Sequence, residues 1–169
     1  MSVFYMVPTQ LPYMLVDVYA MSGSTVGMLM ATVTFVSAIT SLFYAKLRRR
    51  WKISHIYGGL FLVQGAGFFG LGVAGSYAQF SLALTAVGIG VGLVIVNTNS
   101  WLLESAQEHE RLKATGWLSS SIFLGQFISP LLMQPPVGLV GIAGTFSLVG
   151  TMLVAIGFVI LLRLVWRVE

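Results

Sequence analysis

Tyr5, Thr9 and Tyr13 recur every four residues, with Gln10 beside Thr9. On a helix that spacing puts the three on one face, since residues four apart lie one above the other. A row of hydroxyls with an amide alongside can hydrogen-bond a solute. Asn97, Asn99 and Gln126 offer the same chemistry from other apolar stretches. Covalent chemistry is poorly provided for. His55 stands alone, and His109 lies between Glu108 and Glu110 without the i, i+4 spacing of a helical zinc site. Ser119, Ser120 and Ser121 have no histidine or carboxylate at similar depth, so a serine nucleophile would lack its base. The chain contains no cysteine, which excludes disulfides, thiolate metal sites and cysteine nucleophiles. The expectation is a non-enzyme with no metal and no cofactor.

The elements that must carry these residues are membrane helices. Apolar residues make up 57% of the chain, charged ones 8%, and the mean hydropathy is +0.91, against about 25% charged residues in soluble domains. No Asp, Glu, Lys or Arg occurs from Ile53 to Leu103 or from Ala114 to Leu162. Each gap is long enough for two helical spans of roughly 20 residues. Gly75-Ser76-Tyr77 divides the first gap and Gln134-Pro135-Pro136 the second. The predicted spans are 54–74, 78–103, 115–133 and 141–162, preceded by one at 24–45 that is entered through Ser22-Gly23-Ser24-Thr25. A sixth, 2–16, would cover only about 22 Å of a hydrocarbon core of about 30 Å, as if its front were truncated. The fold class expected is an all-α polytopic membrane protein, a six-helix transmembrane bundle forming one domain over 1–169.

A cleavable signal peptide fits the opening segment poorly, because it has no basic n-region and carries two prolines. Threading six spans from an inner N-terminus, or five from an outer one, puts all nine Lys and Arg residues on one side, so the charges fix the loops and not the first span. They are Lys46, Arg48, Arg49, Arg50 and Lys52 in one loop, Arg111 and Lys113 in the next, and Arg163 and Arg167 at the tail. Such loops face the cytoplasm. The net charge of +4 is then a topology signal and needs no nucleic-acid partner. Trp51, Trp101, Trp117 and Trp166 stand near the same loop ends, as interfacial anchors do.

YAKLRRRWK between the second and third spans, ERLKATG before the fifth, GQFISPLL within it, and the opening VPTQLPYML together give the chain a family likeness. It resembles the C-terminal half of a major facilitator superfamily transporter of the drug-efflux type, and the resemblance covers nearly the whole chain. The six spans would then be helices seven to twelve. The resemblance implies transport of a small lipophilic molecule by alternating access, in partnership with an N-terminal six-helix half or a second copy. A bacterial cytoplasmic membrane is the setting expected. The contrasting reading is a small membrane interaction protein or an inactive fragment.

The family's loop signature, glycine and an Asp-Arg pair before basic residues, is reduced here to Ala45 and a basic cluster. Lys46, Arg48, Arg49 and Arg50 are thus either a cytoplasmic gate, with Glu104 as partner of one arginine, or a plain positive-inside anchor. Pro8 and Pro12 each remove a backbone donor and are expected to break the first helix. Broken helices in transporters line the central site near the midplane. Tyr5, Thr9, Gln10 and Tyr13 are then candidates for the substrate path, or else hydrogen-bonding glue between helices. Gly88 and Gly92 form a G-x-x-x-G packing pair in the fourth span, and the third span, with Gln64 as its one polar residue, reads as a packing helix. Asn97 and Asn99 would lie towards the inner mouth of the path or among the headgroups. In the fifth span Gly125, Ser129 and Pro130 echo an antiporter motif, or make a simple kink. Gln126 beside them joins the path. No ionisable group lies deep in any span, so a proton-coupling residue would have to lie in the other half.

Overall fold

A computed structural model describes residues 2–166 of the chain, which leaves Arg167 outside the description. Five α-helices follow one another: α1 (Ser2–Asp17), α2 (Gly23–Arg48), α3 (Ile53–Val73), α4 (Tyr77–Ser105) and α5 (Arg111–Val165), with a 3-10 turn at Glu108–Glu110 before the last. By length and composition α2, α3 and α4 can each cross a membrane, as can the stretch containing α5. These helices have the length and composition of membrane spans.

The expected six separate helices are corrected to five, because α5 runs for 55 residues. It is bent at Gly141, where φ is 72° and ψ 175°, a backbone conformation that residues with a Cβ rarely adopt. The helix therefore has two arms, 111–140 and 142–165. The break expected at Gln134-Pro135-Pro136 is absent, and both prolines lie within helix. Proline removes one hydrogen bond, whereas this glycine reverses the chain. The same distinction corrects the expected breaks at Pro8, Pro12 and Pro130. α1 is continuous through the first two and α5 through the third, so what is lost there is single carbonyl partners.

Local chemistry starts and ends the other helices. Ser22 and Ser76 cap α2 and α4, their hydroxyls accepting from the backbone N–H of Thr25 and Gln79 at 3.3 and 3.4 Å. Tyr19, in the link between α1 and α2, donates its hydroxyl to the Ala74 carbonyl at 2.7 Å and stands edge-on to Phe80. That pins the link to the end of α3.

Close backbone approach sets the packing. Gly58, Gly65 and Gly72 recur every seven residues on α3, facing Gly157, Gly150 and Ala143 of the second arm in antiparallel order. A Cβ added to Gly65 would stand 2.8 Å from the Gly150 carbonyl and 2.7 Å from the Val154 nitrogen. α4 runs parallel to α2, with the expected G-x-x-x-G pair as its contact: Gly88 meets Val33 and Val36, and Gly92 meets Ser37. α1 buries Met6, Val7, Leu11, Met14 and Leu15 in the same core as Leu29, Phe68, Phe80, Leu84 and Phe146. Outside, large apolar side chains such as Phe35, Leu42, Phe123, Phe127 and Leu139 are exposed, as lipid contact allows.

Two outcomes follow. Gly65→Ala should lower stability by about 1–3 kcal/mol through overpacking, whereas Gly59→Ala, with open space at its Cβ, should be neutral or mildly stabilising. Gly141→Ala should cost more than about 1 kcal/mol because its φ is positive, while Gly138→Ala, in open helix, should not. Unfolding in mild detergent would measure both pairs, and equal effects within a pair would contradict the packing described.

Candidate functional site

A cavity of about 350 Å³ lies between α1, α3, α4 and both arms of α5. Phe4, Phe61, Val94, Ile122 and Leu153 give it an apolar wall, and Gln64, Thr98, Asn99 and Ser121 bring polar atoms to it. No charged side chain lines it.

The polar groups differ in how much hydrogen-bonding capacity they keep. Thr98 accepts from the Tyr57 hydroxyl at 2.7 Å and donates to the Val94 carbonyl at 2.6 Å. Asn99 donates to the Ile95 carbonyl and Ser121 to that of Trp117, both at 2.8 Å. Gln64 is 5% exposed and has no hydrogen-bond partner among the described residues. Its stem is fixed against α4, where a Cβ on Gly90 would come within 2.5 Å of its own. Its amide atoms are not sealed off but open to the cavity, where their two donors and acceptor are available. Sequence reasoning placed Gln64 on a packing helix. The signal it carried was being the lone amide in an otherwise apolar span.

The expected path residues divide. Asn99 lines the cavity. Asn97 is fully buried and serves as a brace: its Oδ1 accepts from the Tyr44 hydroxyl at 2.9 Å, and its Nδ2 donates to the Ile53 carbonyl at 3.2 Å. It thereby joins α2, α4 and the start of α3. Tyr5, Thr9 and Tyr13 lie on the flank of α1 opposite Val7, Leu11 and Met14. Tyr5 and Thr9 are half-buried and Tyr13 is 65% exposed. Thr9 donates to the Tyr5 carbonyl at 2.6 Å, and Gln10 sits half-buried beside them. None of the four lines the cavity. Gln126 is half-buried on α5, outside that lining, and Ser129 is fully buried just before Pro130.

Among the described residues every Lys and Arg sits where α2 and α4 end, α3 begins, or α5 begins and ends. At this basic end Arg48 Nη2 donates to both carboxylate oxygens of Glu104 at 3.0 Å, and Nη1 reaches the Trp51 carbonyl at 3.4 Å. The pair is partly open to the surroundings, its side chains 35% and 54% exposed. Lys46, Arg49 and Arg50 are exposed and have no acidic partner among the described residues. Trp51, Trp101, Trp117 and Trp166 are exposed at the same end. No group of three or more His, Asp or Glu among the described residues could hold a metal ion.

Long apolar helices packed through glycines make the chain a polytopic membrane protein. The chain matches the family model of the Major Facilitator Superfamily over residues 1–169, and it belongs to that superfamily. No individual curated protein and no solved structure matches it. Membership places it among secondary transporters, a family of carriers and not of enzymes.

The two polar clusters at the basic end should differ in weight. Asn97→Leu removes two buried hydrogen bonds across three helices and should cost about 1–2 kcal/mol. Arg48→Ala breaks a partly exposed ion pair and should cost less than about 1 kcal/mol. Equilibrium unfolding in detergent micelles would rank them, and the reverse order would show that the ion pair is the true brace.

Proposed function

We propose that the chain is the C-terminal six-span half of a drug-efflux-like transporter, moving a small lipophilic molecule by alternating access. In this reading α1 and the two arms of α5 complete six spans with α2, α3 and α4, corresponding to helices seven to twelve. The partner is an N-terminal six-span half, on the same natural chain or separate, or else a second copy. The polar flank of α1, with Tyr5, Thr9, Gln10 and Tyr13, then faces the partner bundle and lines the path between the halves. Gln126 belongs to the same path.

The observation that carries the proposal is the cavity itself. Its roughly 350 Å³ lies within the usual range of small-molecule sites, about 300–1,000 Å³. Gln64 is eleven residues into α3, or about 16 Å along the helix, near the middle of a hydrocarbon core of about 30 Å. Apolar walls favour a lipophilic solute. Gln64 and Asn99 would recognise a hydrogen-bonding group on it, while the lack of a charged side chain disfavours sugar phosphates and dicarboxylates.

Alternating access requires contacts that form in one state and break in the other. Arg48 with Glu104 is the candidate at the basic end, supported by its modest strength: an exposed pair near 1 kcal/mol can be exchanged during a cycle. Lys46, Arg49 and Arg50 complete that gate or anchor. The positive-inside rule supports a cytoplasmic position for the basic loops and C-terminus, and short loops suit a bacterial cytoplasmic membrane.

Flux of a fluorescent lipophilic dye into proteoliposomes, with a complementary six-span bundle present, tests the reading. Gln64→Leu should raise KM about tenfold for dyes with a hydrogen-bonding group, as expected for one lost hydrogen bond of about 1.4 kcal/mol. Dyes lacking such a group should be little affected. Thr9→Leu should reduce flux. Unchanged flux and KM in Gln64→Leu, Asn99→Leu and Thr9→Leu alike would remove both the cavity and the α1 flank from the path.

A further inference from the structure

A second cavity, of about 330 Å³, opens between α2 and α4 at the basic end, away from the solute cavity. Lys46, in the last turn of α2, and Arg50, in the turn just past its end, stand at its mouth with Trp51, and Phe43, Leu47 and Leu93 form its body. Thr40 lies deepest along α2, eight residues or about 12 Å of helix before α2 ends at Arg48. We propose that this groove binds an anionic phospholipid, its phosphate held by Lys46 and Arg50 and one acyl chain lying along Phe43, Leu47 and Leu93.

Charge complementarity selects the occupant. Lys46 and Arg50 have no acidic partner among the described residues, and Glu104, the acid at the end of α4, is held by Arg48. The end of α2 carries a partial negative charge from its carbonyls. Against that stand five cations between Lys46 and Lys52, of which the Glu104 carboxylate neutralises one. A net positive mouth above an apolar slot matches a lipid in order as well as sign: phosphate at headgroup depth, chain below it. Basic pockets between helices on the cytoplasmic side of a membrane recognise lipids in this way. A free inorganic anion would leave the lower groove, including the 61% exposed Phe43, without a partner. A zwitterionic lipid would bring its own cation to a mouth that already has two.

Native mass spectrometry of the whole purified chain, released from micelles containing equal phosphatidylglycerol and phosphatidylcholine, tests the site. Phosphatidylglycerol should be retained at least fivefold over phosphatidylcholine. The double variant K46Q/R50Q should abolish that preference while keeping the melting temperature of the parent. The double variant R49Q/K52Q, with the same change in net charge outside the groove, should retain it. Equal retention of the two lipids would overturn the proposal, as would equal loss in both double variants, which would indicate diffuse electrostatics. Protection of the melting temperature by inorganic phosphate as effective as that by phosphatidylglycerol would also overturn it, in favour of a free-anion site. Because none of these readouts involves the solute cavity, they stand or fall independently of transport.

Discussion

The seam between α3 and the second arm of α5 is the constraint on which the bundle depends. Lipid competes for apolar surface as well as any side chain does, so helices in a membrane associate through close packing and not through burial from water. Glycine every seventh residue on α3, opposed by small residues on the returning arm, lets two backbones touch along their whole shared length. A seven-residue period keeps such a stripe facing its partner. Once that distance is set, α4 must reach α3 from the other side, and it does so through Gly67 and Gly90.

Tight packing on one side makes room on the other. The glycines draw α3, α4 and the second arm together, while the first arm lines the cavity between them with Leu118, Ser121 and Ile122. Gln64 sits where the two regimes join. Its stem is held against Gly90 and its amide turned to the open side. Its stem is thus held in place by the packing of α4, whatever its amide meets.

The basic end combines firm and loose contacts. Asn97 locks α2, α4 and the start of α3 from inside, with both amide atoms used. Arg48 and Glu104 bridge α2 and α4 from outside, where the surroundings weaken the pair. The outer contact can therefore be lost at less cost than the inner one. Lys46, Arg49 and Arg50, exposed at this end, have no acidic partner among the described residues.

The membrane class, the helix locations and the gathering of basic residues were legible in the sequence, since each follows from composition and local patterning alone. A charge-free gap of fifty residues has no other stable home, and Ser22 and Ser76 mark helix starts wherever they occur before apolar runs. The pairing of Gly88 with Gly92 was legible for the same reason. Tertiary structure decided the rest. Pro135 and Pro136 look like a turn, yet both stay within helix and the chain reverses at Gly141, whose positive φ allows the bend and whose following arm packs on the α3 glycines. Asn97 and Asn99 are two residues apart and chemically identical, yet one is a brace and the other faces the cavity, since two positions on a helix turn a side chain by about 200°. Gln64 looked like filler until α4 approached it through a glycine. Local sequence determines which segments are helices and where their charges must lie; which face each helix turns to which neighbour depends on backbone approach summed over the whole bundle.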